Sequence, residues 1–453
     1  MLAFLGNNVI FERILGSMKD SEVKYQKSDI RSFINNPLFA GSFIMIFGSN
    51  AVNFFNYLYH LVIGRLLGPS SYGELASLIS IIGLLGILPV SISIVIIKFV
   101  SSAKNNEDVG NLIAWLKEKV FQLSLVLFLS IIIIAPFISS FLHINNISYF
   151  ILLGISFLFS LQTNFYRSIL QGLLKFKQSV ISTLVESSAK LVLSVVLVVL
   201  GWQLFGAVLA LVLSAILGFY FTLTFLKFPK IVEIKKPIYL RQMIMFTLPA
   251  TVQSIASTSF YSSDLILVKH FFSSYDAGIY AALSTLGKII FFGTGPISSV
   301  MFPLVSKRFI RGENVKKIYY YSFLTTMVLA ILILLFYLVA PEIAIGLLYG
   351  EAFLEASSLL FWIGVFIALF SLVSLIVNFE LAKGKTVAVY FQLAAALLQI
   401  ILIWFFHQSL FEVIKVSIIV AGLLLGSLLI YSRYEDKISV SNRPGLQTGK
   451  NNS

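Results

Sequence analysis

The sequence predicts an all-α polytopic membrane protein, with twelve transmembrane helices in two six-helix lobes related by a pseudo-two-fold axis along the membrane normal. Composition, the sidedness of the basic residues and an internal repeat lead to this fold class. Of 453 residues, 58% are apolar and only 12% charged, and the mean hydropathy is +0.94. A water-soluble domain is nearer half apolar and a quarter charged, so a soluble enzyme of this composition could not cover its surface. At about 20 residues per crossing plus a loop, the chain has room for roughly ten to fourteen crossings and little else. Cysteine is absent, which excludes disulfides, thiolate zinc sites, iron–sulfur centres and cysteine nucleophiles.

The apolar runs place the spans in order. In the first half they are Leu38–Ile63, Glu74–Ile97, Val120–Leu142, Tyr149–Leu170, Val180–Leu200 and Leu204–Leu226. In the second half they are Met243–Phe272, Gly278–Phe302, Ile318–Ala340, Leu354–Phe379, Thr386–Phe406 and Phe411–Tyr431. At 1.5 Å per residue each crosses roughly 30 Å of hydrocarbon. The seventh and eighth are long, and Pro249, Gly293, Gly295 and Pro296 within them are expected breaks or hinges. The domain organisation is then an N-terminal segment 1–36, an N-lobe 37–228, a linker 229–242, a C-lobe 243–432 and a tail 433–453. The stretch Met1–Phe11 lacks a basic leader and a cleavage site, so an interfacial helix is expected there rather than a signal peptide. The tail, rich in Asn, Gly and Ser from Ser439 on, is expected to be disordered.

Each connection is tested by its charges. With twelve spans, 28 of the 33 Lys and Arg residues fall on the side that holds both termini. The opposite side has only Arg65, Lys269 and Lys415, while Lys190 and Lys288 lie inside spans. Basic residues are retained in the cytoplasm, so both termini are expected there, in the cytoplasmic (inner) membrane. One helix more or fewer would scramble this segregation. The net charge of +13 thus faces anionic headgroups of the membrane lipids, not nucleic acid.

Two stretches about 205 residues apart read alike: Arg65–Leu78 (RLLGPSSYGELASL), between spans one and two, and Lys269–Leu283 (KHFFSSYDAGIYAAL), between seven and eight. Gly73 aligns with Gly278 and Ala76 with Ala281. A weaker echo sets Lys175–Phe176–Lys177 against Lys383–Gly384–Lys385, 208 residues on. Six spans per repeat is an even number, so both halves insert with the same orientation, which is the parallel arrangement that suits alternating access.

At these residues the chain resembles a known family. The run from Gly64 to Gly73 is similar to the first-loop signature of the polysaccharide-transporter (O-antigen flippase) branch of the multidrug/oligosaccharidyl-lipid/polysaccharide exporter superfamily. Pro249, Asp264, Asp276–Tyr280 (DAGIY), Met301–Ser306 (MFPLVS) and Leu348–Phe353 (LYGEAF) extend the resemblance through Leu38–Tyr431. It implies a non-enzymatic flippase with a central cationic cavity that moves a polyprenyl-pyrophosphate-linked oligosaccharide between leaflets for polysaccharide export. Polysaccharide polymerase or glycosyltransferases of the same pathway are the implied protein partners, and a monomer is expected. A cation-coupled small-molecule exporter of the same superfamily is the alternative. Drug exporters usually carry a lobe-buried acid in span one or seven; span one has none, and Asp264 keeps that alternative open.

An ionised side chain at mid-bilayer costs about 2.5–3.5 kcal/mol, so those present should face a cavity or a partner. Span one carries a polar stripe of Asn50, Asn53, Asn56, Tyr57 and His60, either lining the cavity or bonding to neighbouring helices. Span five carries Glu186 and Lys190 at i, i+4, an expected ion pair, with Arg167 at the end of span four as the competing partner. In spans seven and eight, Asp264 and Lys288 are expected at comparable depth as a second salt bridge, and Asp264 is the candidate for coupling to H⁺ or Na⁺. Gln253, Ser257, Tyr261 and Asp264 form a second polar stripe.

No nucleotide-binding Gly-x-x-x-x-Gly-Lys-Ser/Thr loop occurs. The histidines His60, His143, His270 and His407 are scattered in sequence and suggest no metal site. No cofactor is expected. A polytopic polymerase or ligase would need a sizeable external loop of acids, bases and cationic clamps. The longest outer connection here is about Pro341–Phe353.

Overall fold

The computed structural model describes residues 37–102, 106–226 and 240–441, and all regular structure among them is helical. In the N-terminal half α1 is Pro37–Leu85, α2 Ile87–Ser102, α3 Asn106–Leu142, α4 Ser148–Gly172, α5 Phe176–Leu197 and α6 Gln203–Leu223. In the C-terminal half α7 is Leu240–Phe271, α8 Ser274–Ile310, α9 Lys316–Val339, α10 Pro341–Leu348, α11 Ser357–Ala382, α12 Val387–Phe405 and α13 Leu410–Ser441. The predicted segment 1–36, most of the linker 229–242 and the end of the tail lie outside the described residues.

Nine described stretches are long and apolar enough to cross a bilayer. Two of them, Phe47–Ser101 and Phe176–Leu223, each contain a sharp turn at a positive-φ glycine, Gly68 (φ 72°) and Gly201 (φ 91°). Tyr72 shows how sharply α1 bends. Its hydroxyl lies 3.1 Å from His60 Nδ1, twelve residues earlier, where a straight helix would separate them by about 18 Å. Counting both arms of each bent stretch makes eleven passes; α7, which the sequence predicts as a further span, is not among the nine. α3 turns Phe121, Val126, Ile133 and Phe137 outward, apolar surface without a partner among the described residues that suits lipid. The chain is a multi-pass membrane protein.

The N-terminal half packs around two apolar clusters, one containing Tyr59, Leu75, Leu142 and Val208, the other Ile96, Ile113, Phe157 and Ile169. The main cluster of the C-terminal half, around Phe260, Tyr280, Ile363 and Phe370, also takes in Leu61, Tyr72 and Ala76 from α1. The two halves are thus joined at the end of the molecule that holds Arg65 and Lys269, called here the far end. The opposite end, where most of the described basic residues lie, is the basic end.

The backbone carries the repeat further than the side chains do. After α4, Leu174 takes φ 59° and the Lys175 N–H donates to the Leu170 carbonyl at 2.8 Å. After α11, Gly384 takes φ 78° and the Lys385 N–H donates to the Glu380 carbonyl at 3.0 Å. Both are the same helix-terminating motif. The true register sets Lys175 on Lys385, two residues away from the pairing of Lys175 with Lys383 suggested by the Lys-x-Lys echo.

Other expectations shift for physical reasons. α8 runs unbroken through Pro296 and Pro303, and α7 is continuous. The break falls instead in span two, at Gly86 between α1 and α2. Three residues on, Pro89 removes an N–H and crowds the Leu85 carbonyl. α13 continues ten residues beyond Tyr431 to Ser441. Apolarity ends at Tyr431, but the first helix-breaking residue is Pro444, so the helix outlasts its membrane span.

Candidate functional site at the seam between the lobes

The N-lobe charges sort into a structural pair and a separate cation. Arg167 donates from Nε to Ser182 Oγ and from Nη2 to the Ser182 carbonyl, each at 2.9 Å, and Nη2 lies 2.6 Å from Glu186 Oε2. Gly218 of α6 leaves room for that carboxylate, because a Cβ there would lie 2.7 Å from Oε2. The expected Glu186–Lys190 pair therefore does not form. The planar fork of Arg167, held from α4, satisfies Glu186 better than a flexible ammonium on the same helix. Breaking this buried pair is costly: Arg167→Met is expected to destabilise the lobe by about 3–5 kcal/mol. Adding Glu186→Leu should recover much of that, as read from thermal melting in detergent.

Lys190 turns instead toward α1. Its Nζ donates to Asn56 Oδ1 at 2.5 Å and lies 4.6 Å from the centre of the Tyr59 ring. The rest of the span-one stripe divides. Asn50 and Asn53 are exposed. The Tyr57 hydroxyl is buried with no hydrogen-bond partner among the described residues, and His60 bonds through Nδ1 to Tyr72.

In the C-lobe the predicted Asp264–Lys288 bridge is absent. Asp264 is 1% exposed and accepts from the Tyr280 hydroxyl at 2.7 Å and the Leu265 N–H at 2.8 Å. Depth explains the exchange. Asp264 is seven residues before the end of α7, about 10 Å, while Lys288 is fourteen residues into α8, about 21 Å. Tyr280, six residues in, meets Asp264 at its own level. Lys288 lies 5.3 Å from the centre of the Tyr261 ring, which packs against Phe291 and Phe370. Gln253 donates to Ser257 at 3.1 Å, and Ser257 reaches toward Gln392 of α12, so this part of the stripe bonds within its own lobe.

These placements set one cation from each lobe around His60. His60 is within electrostatic reach of both Lys190 and Lys288. Neither lysine has a carboxylate within 4 Å among the described residues. Glu186 and Asp264 act on them only from beyond that distance, and each is engaged by another partner, so the two ammonium groups leave a local field for an anion.

Above them the far end is shut by contacts that repeat across the pseudo-two-fold axis. A Cβ at Gly73 would run into the Ser274 carbonyl, and one at Gly278 into the Pro69 carbonyl. Arg65 of α1 donates to the Leu347 carbonyl of α10 at 3.4 Å, and Lys269 of α7 donates to the Leu142 carbonyl of α3 at 2.5 Å. Each basic residue reaches a helix C-terminus in the other lobe, where carbonyls lack partners and the helix dipole is negative. Two of the three far-side basic residues are therefore clamps.

The histidines scattered in sequence gather at this seal. His270 donates through Nδ1 to the Phe141 carbonyl at 2.7 Å and stacks on the Phe141 ring at 3.9 Å. His143 stacks near it, and Phe271 stacks on His407 at 3.7 Å. Sequence analysis missed this layer. It also missed a buried ion pair at the basic end, where Lys383 Nζ lies 2.7 Å from Glu380 Oε1 and Ser432 donates to the same oxygen at 3.0 Å. Lys383, counted with the rim, is 9% exposed. Among the described residues no cluster of His, Cys, Asp and Glu could hold a metal ion.

Comparison with known proteins agrees with this architecture. An uncharacterized membrane protein of Methanocaldococcus jannaschii, MJ1375, is 29% identical over 273 residues, which span 55% of this chain and 63% of that protein. The lipid II flippase MurJ in an inward closed conformation superposes with a TM-score of 0.68 at 16% identity, covering 86% of this chain and 87% of that one. An inward-facing multidrug resistance MATE family transporter of the MOP superfamily gives 0.66 at 18% identity, covering 85% and 96%. The sequence profile of the family described as polysaccharide biosynthesis protein matches residues 62–358, and with a match over more than half its length, the chain belongs to that family.

Proposed function

We propose that the protein is a flippase for a polyprenyl-pyrophosphate-linked oligosaccharide, working by alternating access in the cytoplasmic membrane with the basic end and both termini in the cytoplasm. One observation carries the reading: Lys190 and Lys288, from opposite lobes, face one seam, and among the described residues neither has a carboxylate within 4 Å. A pyrophosphate bridging them ties the lobes together, and the prenyl tail stays in lipid. The family membership supports a polysaccharide cargo, and the shared fold with a lipid II flippase supports a lipid-linked one. The pathway's glycosyltransferases supply the substrate at the basic end and a polymerase uses it at the far end. A monomer suffices, because both lysines belong to one chain.

The small-molecule exporter reading wants an acid free to bind a cation. Asp264 is engaged by Tyr280 and its own backbone, so H⁺ or Na⁺ reaches it only after that bond opens. The test is reconstitution into liposomes with a fluorescent polyprenyl-pyrophosphate oligosaccharide on the inner leaflet, scored by an external glycosidase. Protein-dependent exposure of the glycan is expected. Uptake of small organic cations against a proton or sodium gradient, with no glycan exposure, would overturn the reading. The same liposomes with and without either gradient decide whether transport is coupled.

A further inference from the structure

A cavity of about 470 Å³ opens in the basic-end half of the C-lobe, between α8, α9 and α11. That volume is in the range of pockets that hold small organic ligands. Its lining carries no charged side chain and sets hydroxyl and amide groups among apolar surface. Thr294 and Ser298 of α8, Thr326 of α9, and Ser371, Ser374 and Asn378 of α11 line it, and Phe291 and Phe302 supply aromatic faces.

Several of these groups have no use within the protein. Thr326 is 1% exposed and its hydroxyl has no hydrogen-bond partner among the described residues, an unfavourable state for a buried polar group. Ser298, Ser374 and Asn378 form no hydrogen bond with another described residue. Between them they offer both donors and acceptors. A bare cation would want a carboxylate, and none lines the cavity. An acyl chain would leave all these polar atoms unpaired.

The position of the cavity narrows the ligand. Lys288, Phe291, Gly295, Ser298 and Phe302 recur at helical spacing on one face of α8. Phe291 stacks on Phe370 at 5.3 Å and lies beside Tyr261, the ring under the Lys288 ammonium. Thr294 to Pro303 stand about 9–22 Å from Lys288 toward the basic end. A head group with its pyrophosphate at the lysines and its glycan directed toward the basic end therefore runs its sugars past this pocket.

We propose that this pocket is a subsite for an uncharged sugar ring of the lipid-linked substrate, its hydroxyls taken by Thr326, Ser374 and Asn378 and its C–H face by Phe291 or Phe302. The proposal rests on the flippase reading. Its test measures binding of two probes to the purified full chain in detergent: polyprenyl pyrophosphate bearing a neutral hexose disaccharide, and bare polyprenyl pyrophosphate. The wild type is expected to bind the glycosylated probe about tenfold more tightly. Ser374→Leu, which fills the pocket, and Thr326→Val, which keeps its shape, are each expected to bring the ratio toward one. Melting curves confirm that the variants fold.

The outcomes separate the two readings. If the wild type binds both probes equally, or either folded variant keeps the full preference, the subsite is wrong and the pyrophosphate site stands. A proportional loss of both probes also leaves the ratio unchanged and overturns the subsite. Binding of neither probe by the wild type overturns the flippase reading, and the subsite with it.

Discussion

Replacing Lys190 and Lys288 together by methionine is expected to lower flipping of a polyprenyl-pyrophosphate-linked glycan by two orders of magnitude or more. A hydrogen bond to a charged group contributes about 1.5–3 kcal/mol, and each 1.4 kcal/mol is tenfold in affinity. Either substitution alone should then cost roughly 10–100-fold. The loss would not report misfolding, because removing an intramembrane charge lightens an insertion cost of about 2.5–3.5 kcal/mol. Lys190→Met does strand the Asn56 carbonyl, so Lys190→Arg is the matching control and should retain part of the rate. Lys415, exposed at the far end, serves as a second control, and Lys415→Met should flip lipid at the wild-type rate. Initial rates in the liposome assay decide the matter. Wild-type rates in the double variant would remove the two lysines from the substrate path.

The sequence made the two lysines visible because a charge inside an apolar run has few explanations. It could not say which of them was already neutralised. The Glu186–Lys190 spacing was right for an intrahelical pair, but Arg167 reaches the carboxylate from another helix with more donors. The depth of Asp264 was legible only to within the uncertainty of the turn, and a few residues at 1.5 Å each were enough to exchange Lys288 for Tyr280. The repeat was legible where both copies needed a glycine, at Gly73 and Gly278, because backbone contact imposes the residue. It misled at Lys175 and Lys383, because the two lysines are held differently: Lys175 is exposed, while Lys383 is buried in an ion pair with Glu380. The sugar-sized pocket was invisible: serine, threonine and asparagine are ordinary in membrane helices, and only packing shows which of them face one space.

Enlarging Gly278 should hold the far end open. In the closed state a Cβ at Gly278 would enter the Pro69 carbonyl, and the same holds for Gly73 against Ser274. Both obstacles are backbone, so no rotamer relieves them. Gly278→Leu is therefore expected to exclude this state and to abolish transport, since alternating access needs both closures. Lys269→Met acts more gently. It keeps the stem that packs in the seal and removes the ammonium bonded to the end of α3, so the closed population should fall about 10–100-fold for a lost bond of about 1.5–3 kcal/mol. The absence of native cysteine allows a direct reading. Thr285→Cys places a single thiol under the seal, where Thr285 now lies 3.4 Å from the Tyr72 hydroxyl. A membrane-impermeant maleimide applied from the far side should label it slowly in the otherwise wild-type chain, at least tenfold faster with Lys269→Met, and fastest with Gly278→Leu. Equal labelling in all three would mean that the paired glycines and the cross-lobe clamps do not form the gate. Faster labelling with transport intact would mean that closure at this end is not a required step. Arg65, which mirrors Lys269 with a longer bond to Leu347, should give the smaller effect of the two clamps, because the weaker geometry has less to lose.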